Sequence, residues 1–192
     1  MKQLKFIHIT KCAGTTIENL GMENNIKWGK YDKEVRGHQH NPESFKQCNF
    51  KQSYDWFMVV RNPYERLVSE YYCKWAGYKG KKEKLTLDKF NEFTKKKILT
   101  RGRKTRYHYL EQSSYFERTS TIHIIKFENI AEEFNNLMEL YNLDIRLNRH
   151  DNARKEKYKK FSVESFSPEV IKLINKVYHE DFVRFGYQKI EV

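Results

Sequence analysis

Leu4-Lys5-Phe6-Ile7-His8-Ile9-Thr10-Lys11-Cys12-Ala13-Gly14-Thr15-Thr16-Ile17-Glu18-Asn19-Leu20 is a short apolar run, a tight polar turn, and then apolar residues at helical spacing. That order predicts a buried strand, a loop and a helix. The pattern recurs twice. Trp56-Phe57-Met58-Val59-Val60 reads as a second buried strand, closed by Arg61-Asn62-Pro63, an N-cap asparagine with proline at the first helical position. Tyr64, Leu67, Val68, Tyr71, Tyr72 and Trp75 then form one apolar stripe, which Gly77 and Gly80 are expected to end. Thr121 to Phe127 is the third strand, followed by Ile130, Phe134, Leu137, Met138 and Tyr141 at helical spacing. Ser167-Pro168-Glu169 opens a last helix that should run through Val170, Ile174 and Tyr178 to Phe182, with Gly186 beyond its end.

Three strands, each followed by a helix, predict an α/β fold: three layers, with a mostly parallel central sheet covered on both faces and right-handed crossovers. Ligands of such sheets bind at the strand C-termini. Lys11 to Thr16, then Arg61, then Glu128 and Asn129 fall at those ends. The chain of 192 residues is the size of one domain, 1–192, and its eight glycines and three prolines do not suit a fibrous or disordered chain. Cys12, Cys48 and Cys73 are odd in number and form no C-x-x-C pair, so a reducing compartment is expected rather than a disulfide framework. No apolar run is long enough for a membrane span, and the N-terminus reads as neither leader nor anchor; a soluble, cytoplasmic location is the expectation.

The formal net charge is +12, and 13 basic against 3 acidic residues between Lys74 and Arg106 account for nearly all of it. This basic segment, 74–106, reads as a surface helix with a modest apolar patch (Leu85, Leu87, Phe90, Phe93, Ile98) flanked by mobile loops. It suits an anionic partner, or is simply a solvated face.

Lys11-Cys12-Ala13-Gly14-Thr15-Thr16 sets a cation, small residues and two hydroxyls at a helix N-terminus, an arrangement suited to phosphate or sulfate. An ordinary capped turn would need no more than Thr15 or Thr16. A nucleoside-triphosphatase loop does not fit, because Lys11 precedes the glycine, and a cysteine-phosphatase loop from Cys12 would have Glu18 where it needs arginine. Arg61 with Ser69, two helical turns on, suits a terminal phosphomonoester; the plainer account pairs Arg61 with Glu65 or Glu70.

As an ordered pair these two segments resemble the motifs of carbohydrate-type (family 2) sulfotransferases. Phe6 to Thr16 is similar to that family's 5'-phosphosulfate loop, and Val60 to Tyr71 to its 3'-phosphate motif. Fainter echoes are His108 with Gln112, Ile124 to Asn129, and Tyr178 to Phe182 with Phe185-Gly186-Tyr187. The resemblance implies a P-loop-like sulfotransferase fold and the co-substrate 3'-phosphoadenosine 5'-phosphosulfate (PAPS), with no metal. Lys11, Cys12, Ala13, Gly14, Thr15 and Thr16 would hold the 5'-phosphosulfate, and Arg61 and Ser69 the 3'-phosphate. Thr10 stands where the family usually has proline.

Sulfuryl transfer to a hydroxyl needs a proton acceptor and a cation on the leaving phosphate. Lys11 suits the second task. For the first, His38 follows glycine in Arg36-Gly37-His38-Gln39-His40, with His40 second; both could instead be loop histidines or, with Cys48, zinc ligands. His8 and His123 are expected inside strands as core or sheet residues, and His108, His150 and His179 carry no assignment. The implied acceptor is a carbohydrate or other hydroxyl, anionic acceptors included. Two other readings compete: a metal-dependent nucleotide kinase with Glu128 on the metal, and a non-catalytic nucleic-acid or polyanion binder using the basic segment. No nucleic-acid reader motif accompanies that segment.

Overall fold

A computed structural model describes residues 2–35, 41–46, 52–80, 85–101, 107–115, 121–148 and 160–192. The chain divides into two compact units, one of Met1–Arg61 with Ser114–Ala153 and one of Asn62–Ser113 with Arg154–Val192.

The first unit is the predicted α/β layer structure. Strands β1 (Leu4–Ile7), β2 (Asp55–Val60) and β3 (Ile122–Lys126) pair in parallel in the order β1-β2-β3. Phe6 lies opposite Phe57, and Val60 opposite Lys126. Trp56 to Val60 are all buried, as a strand covered on both faces requires. Successive side chains of a strand face opposite ways, and the aromatic partners show it. Phe57 packs on one face against Trp28 and Phe134, with centroids 5.1 and 6.0 Å away. Trp56 packs against Phe45, 4.9 Å away. Helices α1 (Gly14–Glu23), α2 (Pro42–Lys46) and α5 (Ile130–Leu140) belong to this unit.

The second unit is helical: α3 (Pro63–Tyr71), α4 (Leu87–Leu99), α6 (Pro168–Val177) and α7 (His179–Phe185). Phe90 lies at its centre, stacked between Phe161 at 4.8 Å and Phe166 at 5.0 Å, with the Tyr71 ring meeting it edge-on at 4.8 Å.

Three local expectations are corrected here. The helix from Pro63 stops at Tyr71 rather than carrying its stripe to Trp75. Tyr78 N donates to Tyr71 O and its ring stacks on Tyr71, while Gly77 N donates to Cys73 O; the chain reverses and leaves Trp75 78% exposed. Helix α4 buries Phe90, Thr94 and Ile98 on one face and exposes Lys89, Glu92 and Lys96 on the other. The last helix is two, broken at Tyr178. Strand β1 ends at Ile7, so His8 stands just past it. The loops expected around residues 81–84 and 102–106 lie outside the described residues.

Candidate active site

The turn after β1 is built from left-handed backbone. Lys11 has φ 62° and Ala13 φ 58°, with Cys12 between them on the ordinary side. Alternating signs of φ are the backbone pattern of anion-binding nests. Ala13 is also the N-cap of α1, and alanine carries no oxygen to accept from the first turn. A left-handed alanine costs about 1–2 kcal/mol. The helix start is therefore strained and without a side-chain cap. Among the described residues the Lys11 ammonium makes no ion pair, whereas Thr10, Cys12 and Thr16 are buried.

His8 braces this turn. A Cβ on Gly14 would stand 2.2 Å from the His8 ring, so only glycine lets the helix start lie against the imidazole. The ring is held from its other side by Glu18, whose Oε1 lies 2.8 Å from His8 Nδ1 and accepts from Lys30 N at 2.8 Å. Lys30 Nζ is 3.5 Å from Oε2 of the same fully buried carboxylate. Burial pushes the Glu18 carboxyl up, but His8 and the Lys30 amide and ammonium outweigh it and hold the group below the usual carboxylate range.

Parallel pairing carries the ends of β2 and β3 to the same edge of the sheet as this turn. Arg61, one residue past β2, lays its guanidinium over the Phe127 ring at 4.3 Å, just past β3. Glu128 and Asn129 are exposed there. In the second unit, Asn62 caps α3 by accepting from Tyr64 N at 3.0 Å, with Pro63 next, as the sequence predicts. Ser69 is half-buried on that helix. Glu70 is engaged by His108. A separate cavity lined by Gln3, Lys5, Asn25, Asp32 and Glu34 lies at the N-terminal end of β1. Of its three lysines, Lys5 is paired with Asp32 at 2.9 Å and with Glu34, and Lys27 and Lys33 complete the lining.

A sequence model of the Sulfotransferase family matches residues 2–188. The chain belongs to that family. No curated protein and no solved structure matches it. It is thus a sulfotransferase with an α/β fold, and the three-stranded parallel sheet agrees with that assignment. Among the described residues no helix is long and apolar enough to cross a membrane.

For this sulfotransferase, His38, His40 and Cys48 lie outside the described residues. Two groupings escaped the sequence reading. One is the His8–Glu18–Lys30 brace, for which the spacing of ten residues between His8 and Glu18 gives no periodic signal. The other is Glu70, Cys73 and His108 in the second unit, where His108 Nδ1 lies 2.9 Å from Glu70 and 4.0 Å from Cys73. Burial works against a charged His108, but Cys73 and Glu70 prevail and push it up to about 9. Burial likewise raises the Cys73 thiol, yet the contacts with His108 and with the Ala76 and Trp75 amides leave it below its ordinary value.

Proposed function

We propose that this sulfotransferase takes its sulfuryl group from PAPS and transfers it to a hydroxyl of a carbohydrate acceptor. The observation that carries the reading is the uncapped, left-handed turn with Lys11 at the sheet edge. In this reading the backbone N–H groups of Cys12, Ala13, Gly14, Thr15 and Thr16 cradle the 5'-phosphosulfate. The Cys12 and Thr16 side chains are buried beneath this turn. Arg61 and Ser69 take the 3'-phosphate, by resemblance to the family motif. The family model spans both compact units, so the reading treats 1–192 as one catalytic domain.

The acceptor oxygen attacks sulfur as the bond from sulfur to the bridging phosphate oxygen breaks. The hydroxyl proton passes to His38, or to His40 as the second choice, and Lys11 neutralises the charge that gathers on the leaving phosphate. None of these steps needs a metal ion. Calorimetry with 3'-phosphoadenosine 5'-phosphate tests the donor. Binding should be far tighter than that of adenosine diphosphate, and Lys11→Ala or Arg61→Ala should each weaken it about tenfold to a hundredfold with the fold retained, the scale of a lost charge-assisted contact. Equal affinity for the two nucleotides would remove the 3'-phosphate role. His38→Ala should keep donor binding and lose roughly a hundredfold or more in rate; an unchanged rate moves the base to His40 or elsewhere. A radiolabelled-sulfate screen over glycans, tyrosine peptides and small alcohols identifies the acceptor.

A further inference from the structure

The transfer chemistry leaves unused the cluster in the second unit. Glu70 lies in the last turn of α3, Cys73 two residues past its end, and His108 in the 3-10 turn Tyr107–Tyr109. One ligand atom from each lies within 4.8 Å of the other two, and His108 Nδ1 is 2.9 Å from Glu70 Oε2 and 4.0 Å from Cys73 Sγ. Four-coordinate zinc, with bonds of roughly 2.0–2.3 Å, sets neighbouring ligand atoms roughly 3.3–3.7 Å apart. Small side-chain adjustments bring the three atoms to that spacing.

The surroundings are those of a held ligand set. Arg66, one turn before Glu70, donates to the carbonyls of His108 at 2.9 Å and Leu110 at 2.8 Å, so the turn carrying the imidazole is tied to the helix carrying the carboxylate. The Cys73 sulfur receives backbone hydrogen bonds from Trp75 and Ala76, which suits a thiolate ligand. Outer contacts of this kind orient metal ligands and raise affinity. Glu70 and Cys73 are buried while the His108 side chain is 22% exposed, which leaves one side open for the ion to enter and for a water to complete four-coordination. A thiolate with an imidazole and a carboxylate favours a borderline-soft ion over magnesium or calcium.

We propose that Glu70, Cys73 and His108 bind one zinc(II) ion, which ties the end of α3 to the 107–109 turn. Loading releases to solvent the protons carried by the Cys73 thiol and by His108 Nδ1. The site lies within one unit and does not depend on the identity of the sulfuryl donor or acceptor.

The test uses the full chain, stripped with a chelator, dialysed, and titrated with cobalt(II) as an optical stand-in and with zinc(II) in competition. One equivalent of cobalt should give a near-ultraviolet thiolate charge-transfer band that zinc abolishes. Cys73→Ser should remove the band, and His108→Asn should weaken zinc binding at least tenfold. The His108 variant and the unsubstituted chain keep the test valid if Cys73→Ser does not fold. Donor-product affinity, measured in parallel, should be the same with and without zinc. The proposal is overturned if the unsubstituted chain takes up less than half an equivalent at micromolar metal, or shows no thiolate band. It is equally overturned if binding survives His108→Asn unchanged and is lost instead in Cys48→Ser or His40→Asn.

Discussion

The Gly14 position has a helical neighbour on one side and an imidazole on the other, and the two make opposite demands. Alanine is the better helix former, yet its methyl would stand 2.2 Å from the His8 ring. Sterics therefore decide against it. Gly14→Ala should destabilise the fold by about 1–3 kcal/mol, as an overpacked contact does, and weaken binding of 3'-phosphoadenosine 5'-phosphate. His8→Ala in the same chain should recover part of the loss, a coupling that a double-mutant cycle in urea would measure; strict additivity would mean that His8 is not the obstacle. Glu18 carries the pH dependence of the same brace. Its folded carboxyl titrates below its usual value, so its stabilisation is fully present above about pH 4.5 and is lost as pH falls through the lower, folded value. Glu18→Gln should cost about 1–3 kcal/mol at pH 7, with the difference from the unsubstituted chain shrinking at pH 3.5. A gap constant with pH would show that the carboxylate charge is not what holds His8.

Helix starts were legible, as was the end at Gly186, but the ends of α3 and α6 were not, for a physical reason. A start is written locally: Asn62-Pro63 and Ser167-Pro168 place a side-chain acceptor and a preset φ beside the first turn, and Ser167 does accept from Val170 N at 3.3 Å. Those two ends are set from a distance. Tyr78 returning onto Tyr71 stops α3, although the apolar stripe runs on to Trp75. The break at Tyr178 is anchored by its hydroxyl on Tyr109 O at 2.8 Å and by Asp181, which accepts from the amides of Gln112 and Ser113. Periodicity contains none of these partners. Substitution separates the stripe from the contacts. Trp75→Ala should change stability by no more than about 0.5 kcal/mol, as at other exposed sites, whereas Tyr71→Ala should cost about 3–5 kcal/mol, the scale of a buried aromatic. Comparable losses in thermal unfolding would return Trp75 to the core. Asn62→Ala should cost about 1 kcal/mol by loss of the cap.

At the scale of the whole chain, the sheet and its strand-end residues were readable because each strand, turn and cap sits within some fifteen consecutive residues. Lys11, Gly14 and Arg61 stand at one edge of one sheet for that reason. The His8–Glu18–Lys30 brace and the Glu70–Cys73–His108 cluster were not readable, since each joins residues whose spacing carries no motif. Charge is the property that belongs to the whole molecule. A net of +12, concentrated in 74–106, would raise the local concentration of an anionic acceptor whatever its sequence or linkage. Lys89 and Lys96 are exposed on one face of α4, two turns apart, and are suited to test this. Replacing both with glutamine should raise KM for a polyanionic glycan severalfold at low salt, flatten the dependence of that KM on ionic strength, and leave kcat and the KM of a neutral alcohol acceptor unchanged. An equal effect on the neutral acceptor would mean that the two lysines act through the fold rather than the field. No effect on either acceptor would reduce the exposed face of α4 to a solvated surface, and acceptor choice would then have to be sought at the sheet edge that carries Lys11 and Arg61.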